Sequence, residues 1–270
     1  MSLAARDRRT IVERNLKRVY GPQLSGGDLS SKVSKTFDSY ARYYYDSFRL
    51  PGLSREEVAR GFVLEGREHI DAAMAADGPG PVLALPHLGG WEWAAAWITR
   101  VQGWGLAAVV EPLEPPELFE WFLEFRRSLG MNIIPLGPTA AAEVSQAALN
   151  HEVVCLLCDR DIGGNGVDVE FFGERTTLPA GPAVMALRIG CPILPTAVYF
   201  DGAGVRGVVR PPLDVSRQGR LRDDVSRITQ SLAAELEVLI RAAPEQWHLM
   251  QPNWPSDYAA LGRPVPEPSA

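Results

Sequence analysis

Residues 81–102 read PVLALPHLGGWEWAAAWITRVQ. Residues 82–86 are apolar without interruption, which is how a strand reads when helices cover both faces of its sheet. Gly89 and Gly90 then break the run, and from Trp91 onward the residues suit a helix. A buried strand that turns tightly into a helix is the unit of a parallel α/β sheet. The same rhythm continues downstream. LAAVVE (106–111), NIIPL (132–136) and VVCLLCD (153–159) read as strands, while PELFEWFLEFRRSLG (116–130) and TAAAEVSQAALN (139–150) read as helices, the first stopped by Gly130. VDVEFF (167–172) is a further short strand, and GPAVMALRIG (181–190) is a helix with Pro182 in its first turn. PILPTAVYF (192–200) and the run GVRGVVR that ends at Arg210, joined through DGAG, form an antiparallel hairpin. The last helix, within 223–244, carries Val225, Ile228, Leu232, Leu236 and Leu239 on one face. The expected fold is therefore α/β: a largely parallel central sheet with helices on both faces, then a C-terminal antiparallel hairpin and long helix. Residues 1–262 are expected to form one domain, and the proline-rich 263–270 a disordered tail.

Upstream of the alternation, residues 32–48 place Val33, Phe37, Tyr40, Tyr44 and Phe48 at helical spacing, a stripe most simply used for core packing. Ser54 and Glu57 form an S-x-x-E capping box that opens the next helix.

The 270 residues are long enough to bury a sizeable core, and the net charge of −6 argues against nucleic acid as a partner. The first twenty residues depart from that balance, because Arg6, Arg8, Arg9, Arg14, Lys17 and Arg18 face only Asp7 and Glu13. Such a cluster is either a solvated helix face or a patch that touches an anionic membrane surface. Three cysteines suit a reducing compartment, and the C-x-x-C of Cys155 and Cys158 lies in a strand-like run whose side chains three apart face opposite ways. Burial as small hydrophobes is the simpler use. The N-terminus lacks an apolar signal segment, and the apolar stretch 178–200 contains Arg188 and several prolines, so it parses as helix, turn and strand rather than as a membrane span.

One of only four histidines, His87, directly follows the apolar strand-like run VLALP (82–86). Functional groups in open α/β sheets gather past the carboxyl ends of strands. An imidazole there is suited to act as a base near neutral pH if a carboxylate fixes its tautomer. A structural, hydrogen-bonded histidine is the plain alternative. Two carboxylates are candidates for the partner: Glu92, in the first turn of the following helix, and Asp159, which follows the apolar run VVCLLC (153–158) and is followed by Arg160 and Asp161. No ligand cluster suggests a metal: His151 opens a strand, His69 lies on an early helix, and His248 belongs to WHLMQPNW (247–254).

LALPHLGGWE resembles the H-x-x-x-x-D/E motif of acyltransferases. With SYARYYYDSFRLP (39–51), FRRSLGMNIIPL (125–136), CDRDI (158–162), VDVEFFGERTTLPAGPA (167–183) and WHLMQPNW in order, nearly the whole chain resembles the bacterial phosphatidylinositol mannoside acyltransferases, relatives of the lipid A lauroyl/myristoyl acyltransferases. The resemblance implies an acyltransferase-like α/β fold and acyl-CoA-dependent transfer of a fatty acyl group, palmitoyl in expectation, to a mannose hydroxyl of a phosphatidylinositol mannoside. It assigns the catalytic histidine to His87, its carboxylate to Asp159, where the family usually has Glu, and the motif acid to Glu92, where relatives often have Asp. Glu111 and Arg126 map to the polar head-group pocket, and Arg160 is placed with them as substrate-binding. The family usually carries a longer, partly hydrophobic N-terminal segment, and this chain begins at roughly its end.

With no Ser or Cys nucleophile beside His87 in the sequence, direct transfer is preferred over an acyl-enzyme. No cofactor beyond the donor substrate is expected. The expected partners are acyl-CoA, the glycolipid and an anionic membrane surface, with the protein peripheral on the cytoplasmic face of the cell membrane. Two rivals stand beside this reading: an acyltransferase for another lipid, such as a lipid A precursor or a lysophospholipid, and a non-catalytic lipid-binding protein.

Overall fold

The computed structural model describes residues 3–112 and 114–266. Two helices, α1 (Leu3–Tyr20) and α2 (Gly26–Arg49), precede α3 (Arg55–Arg60), β1 (Phe62–Glu65) and α4 (Arg67–Ala75). The alternating part follows as β2 (Val82–Leu85), α5 (Trp91–Ala96), β3 (Leu106–Val110), α6 (Pro116–Ser128), β4 (Asn132–Pro135), α7 (Ala140–Leu149) and β5 (Val153–Leu157). A hairpin of β6 (Val167–Phe171) and β7 (Glu174–Leu178) leads to α8 (Gly181–Ile189), β8 (Ile193–Asp201), β9 (Gly204–Val209), α9 (Leu221–Ala242) and α10 (Pro255–Ala260). Ser54 accepts from the Glu57 amide while Glu57 reaches back to the Ser54 amide, the capping box read from the sequence.

The main sheet has the order β1-β9-β8-β2-β5-β3-β4. Its pairs are parallel except β8 with β9. The largely parallel α/β fold and the β8–β9 hairpin are thus as expected. Two features of the strands go beyond that reading. Residues 167–171 do not join the main sheet but pair with 174–178 in a separate antiparallel ribbon. β1 adds an edge strand that the hydrophobic pattern did not announce: FVLE is four residues long and exposes Val63. A short half-exposed edge carries almost no periodic signal.

Alternate residues of each central strand feed separate cores. Val82, Ala84 and Val154 face a layer with α7, α8 and α9, where Ile228, Leu232, Leu236 and Leu239 are buried. Leu83, Leu85, Val153 and Cys155 face the opposite layer, with Trp91, Trp93 and Trp97, and with Phe122 and Phe125 of α6. Cys155 and Cys158 fall on opposite layers, and burial pushes the Cys155 thiol up to about 12 and that of Cys158 up as well. These thiols are packing groups.

The N-terminal helices behave differently from a simple core stripe and a simple basic face. Along α2 only Val33 of the stripe is buried; Phe37, Tyr40 and Tyr44 are half-buried and Phe48 is exposed. In α1, Arg14 and Arg18 turn inward onto Asp257 of α10, at 2.6 and 2.7 Å, and the Arg18 guanidinium lies 3.9 Å from the centre of the Trp254 ring. Asp257 has no exposed side-chain surface, so the two arginines supply the pairing that a carboxylate at that depth requires. Arg6, Arg8 and Lys17 remain exposed. Arg263, in the proline-rich tail, hydrogen-bonds Asp7, and residues 267–270 of that tail lie outside the described residues.

His151 closes the turn from α7 into β5 in left-handed backbone geometry (φ 65°). Its Nδ1 lies 2.9 Å from the Gly78 carbonyl and its Nε2 2.9 Å from the Met74 carbonyl. Two carbonyls can only accept, so both bonds exist together only in the imidazolium form. These bonds outweigh burial, and with the nearby Asp77 charge they raise the His151 pKa. A raised folded-state pKa contributes stability that is present below the unfolded value, about 6.5, and is lost as pH rises through the folded one. Melting temperature measured from pH 5.5 to 8.5 is expected to carry this falling component. His151→Asn, which tolerates the backbone geometry, removes it. An unchanged pH profile in the variant would show that the double bond contributes nothing.

Candidate active site

β2 and β5 are parallel neighbours with Leu85 opposite Leu157. Two residues beyond each lie His87 and Asp159, so the register alone delivers them side by side at the carboxyl edge of the sheet. The Cys158 amide donates to the Leu85 carbonyl at 2.7 Å, which extends the ladder to that edge. The His87 Nδ1 stands 2.6 Å from Asp159 Oδ1, and the His87 backbone amide donates to Oδ2 at 3.1 Å. The shorter Asp side chain, one methylene less than the Glu usual in the resembling family, therefore reaches the ring directly.

Asp159 has no exposed surface. Burial by itself raises its pKa, but the His87 charge, the His87 bonds and a 2.7 Å bond from the Trp247 indole N–H outweigh it and hold the carboxyl below its ordinary range. The ionised carboxylate fixes the proton of a neutral His87 on Nδ1 and leaves the Nε2 lone pair free to accept a proton. The His87 side chain keeps 32% of its surface exposed, so the ring is open to a substrate.

The segment after α9 locks this edge. Gln246 accepts from the Gly89 amide at 3.1 Å, the His248 amide donates to the His87 carbonyl at 2.7 Å, and Asn253 Nδ2 donates to the Asp159 carbonyl at 3.1 Å. Gly89 adopts φ 59° and a side chain there would meet the Val198 carbonyl at 2.0 Å, so only glycine fits. The Gly89 amide is thereby engaged, and it is not available as an oxyanion donor. His248 packs beside the site, with Nε2 2.9 Å from Ser39 Oγ; burial and the neighbouring His87 push its pKa down to about 3, so it is neutral near pH 7.

Glu92 does not touch His87. It is buried at 1% exposure and accepts at Oε1 from Tyr43 (2.6 Å) and from Arg126 (3.1 Å). Arg126 is sandwiched by Trp91 and Phe122, at 5.1 and 5.2 Å from the ring centres. Glu111, just past β3, pairs with Arg160, just past Asp159, on the exposed side of the same edge. The sheet thus brings His87, Asp159, Arg160 and Glu111 to one rim, while Glu92 and Arg126 form a second buried pair below it. Sequence reasoning did not single out Trp247, Asn253, Ser39 or Tyr43. A tryptophan N–H is an ordinary partner for a buried carboxylate and an asparagine amide for a backbone carbonyl, but nothing in the linear order says that residues 247 and 253 return to 159. Among the described residues no group of three or more His, Cys, Asp or Glu side chains is placed to hold a metal ion.

Residues 1–256 match the family described as bacterial lipid A biosynthesis acyltransferase. A protein of Mycobacterium tuberculosis named phosphatidylinositol mannoside acyltransferase is 40% identical over 258 residues, covering 93% of this chain and 79% of its own. One of the same name from Mycolicibacterium smegmatis is 38% identical over 252 residues, covering 91% and 79%.

Asp159→Asn keeps the shape of the pair and removes its charge. Leaving His87 and Trp247 without the carboxylate is expected to cost about 3 kcal/mol, the scale for breaking a buried pair, and to lower the melting temperature by several degrees at neutral pH. Because the folded-state pKa of Asp159 is depressed, the wild-type advantage is present above the unfolded value and fades as pH falls through the folded one. Paired melts of both proteins between pH 7 and pH 3 check this. A gap that stays constant into acid would mean that Asp159 is not held ionised by its neighbours.

Proposed function

This chain belongs to the bacterial lipid A biosynthesis acyltransferase family, and on that premise we propose that it transfers a fatty acyl group, palmitoyl, from acyl-CoA to a mannose hydroxyl of a phosphatidylinositol mannoside. The observation that carries the reading is the imidazole of His87, oriented through Nδ1 by a fully buried ionised Asp159 and itself partly exposed. The names of the mannoside-specific relatives supply the acceptor.

An alcohol attacks a thioester poorly until its proton is removed. In the proposed step the mannose oxygen attacks the acyl carbonyl while its proton passes to His87 Nε2, assistance worth about 10²- to 10⁴-fold. Asp159 stabilises the imidazolium that forms. The tetrahedral intermediate collapses with loss of the CoA sulfur, which takes the proton back from Nε2 and leaves as the free thiol; the product is the ester. Among the described residues no serine or cysteine hydrogen-bonds His87, which favours direct transfer over an acyl-enzyme. With the Gly89 amide bonded to Gln246, the amides of Gly90 and Trp91 at the start of α5 are the donors we assign to the developing oxyanion. Arg126, Glu111 and Arg160 are the groups we assign to the polar part of the acceptor.

An acyl chain needs a dry surface, and each methylene buried contributes about 0.8 kcal/mol. Trp91, Trp93 and Trp97 are packed in the core. The rings of Phe48, Trp121, Phe122 and Tyr44 form a partly exposed run that reaches Arg126 through Phe122, and we place the acyl chain along it. No described helix is long and apolar enough to cross a membrane. Access to a membrane lipid is then proposed through peripheral contact on the cytoplasmic face, aided by the exposed Arg6, Arg8 and Lys17.

The deciding experiment incubates the protein with palmitoyl-CoA and purified phosphatidylinositol mannoside and identifies the product by mass spectrometry. A palmitoylated mannose is expected, and His87→Ala is expected to fold and to lose transfer by at least about 10³-fold. Acylation of a lysophospholipid or a lipid A precursor but not of the mannoside would overturn the acceptor. Lipid binding without turnover would overturn the enzyme.

Membrane contact has its own check. Replacing Arg6, Arg8 and Lys17 by Glu is expected to weaken sedimentation with anionic vesicles at low salt, since each cation near the surface contributes about 1 kcal/mol. Equal sedimentation would leave these residues as a solvated helix face.

A further inference from the structure

α2 approaches the carboxyl edge of the sheet from outside it and sends two polar groups inward. Ser39 meets His248, and the Tyr43 hydroxyl donates to Glu92 Oε1 at 2.6 Å. That oxygen also anchors Arg126, at 3.1 Å, while among the described residues Glu92 Oε2 and Arg126 Nε have no hydrogen-bond partner. The guanidinium is held by this charged bond and lies over the rings of Trp91 and Phe122. Rings beside a cation favour its presence but do not fix its direction; the carboxylate oxygen does that. The carboxylate in turn depends on a donor that cannot swing. The Tyr43 ring lies parallel to that of Tyr40, with centres 6.1 Å apart, and tilted on His248 at 6.0 Å, so the direction of its hydroxyl is set by packing.

We propose that Tyr43 is a positioning residue for the acceptor: its hydroxyl fixes Glu92 Oε1, Glu92 fixes Arg126, and the affinity of the site for the polar head of the acceptor depends on this chain of contacts. The proposal rests on the reading above that Arg126 binds that head group. Tyr43 serves here where an ammonium or guanidinium would not. A neutral donor orients the carboxylate and leaves its negative charge to pair with Arg126. Burial, then the charge of Glu92, push the phenol pKa well above its ordinary value, so the hydroxyl remains a donor throughout any working range. The α2 helix is thereby part of the site and not only a cover over it. The motif acid takes a corresponding part: Glu92 acts on Arg126 and not on the imidazole.

Tyr43→Phe keeps the ring and its stacking and removes only the hydroxyl. It is expected to raise the KM for phosphatidylinositol mannoside about tenfold, the scale of one hydrogen bond to a charged group, with kcat changed less than about twofold. Tyr199→Phe is the structural control. Its buried hydroxyl bonds the Leu239 carbonyl at 2.7 Å in the opposite layer, so its loss is expected to lower the melting temperature without moving the acceptor KM. Tyr43→Phe combined with Glu92→Gln is expected to cost less than the sum of the two single changes, because both cut the same chain. A readout without turnover separates this idea from the proposed reaction: the side-chain ¹⁵N–¹H signals of Arg126. In the wild type these should show hindered rotation about the guanidinium bond, and in Tyr43→Phe they should average. If the wild type transfers nothing to the mannoside, the functional reading fails while the Arg126 signals still decide the coupling. An unchanged acceptor KM in Tyr43→Phe, additive effects with Glu92→Gln, or unaltered Arg126 signals would each overturn the proposal and leave Tyr43 as packing.

Discussion

A carboxylate with no exposed surface, Asp159, is the group around which the carboxyl edge of the sheet is assembled. An ion in such a place is tolerated only when every face of it is met by a donor or a positive charge. Three donors meet this one: the His87 ring, the His87 amide and the Trp247 indole. Each comes from a segment that had to be brought there. β2 supplies the histidine through its parallel register with β5, and the chain after α9 supplies the tryptophan. The same returning chain bonds the carbonyls of His87 and Asp159, so the orientation of the imidazole is set by backbone on both sides.

Electrostatic roles are separated by depth at this edge. His87 is partly open, His248 behind it is held neutral, and the cationic Arg126 is matched by Glu92 below the rim. The two carboxylates that were candidates to serve one histidine thus do different work. Asp159 serves the imidazole, and Glu92 serves an arginine that arrives from α6. The separation follows from where α5 begins. Trp91 opens the helix immediately after the Gly89–Gly90 turn, and Glu92, one residue on, points under the rim toward α2 and α6 rather than back at the ring.

The N-terminal pair of helices links that buried network to the outside. α1 is stapled to α10 through Asp257. α2 then lies across the edge with half-buried tyrosines, and its far end exposes Tyr45 and Phe48 against Trp121. An aromatic surface that runs from solvent to a buried arginine suits a ligand with an apolar part and a polar head.

The sequence by itself determined the alternation of buried strands and helices, the hairpin near the C-terminus and the face of the last long helix, because period-two burial and helical spacing are local properties of the chain. It also placed His87 and Asp159 at strand ends, since each follows an uninterrupted apolar run. Tertiary structure alone decided which acid meets the histidine. That depends on β2 and β5 being neighbours in register, a relation between residues 72 positions apart. It likewise decided that Trp247 returns to Asp159, that Tyr43 joins Glu92 to Arg126, and that Arg14 and Arg18 turn inward to Asp257. Each of these is a polar group that satisfies another across a long loop of chain, and no local spacing records such a pairing; only the requirement that buried charge be matched, applied to the folded chain, selects it.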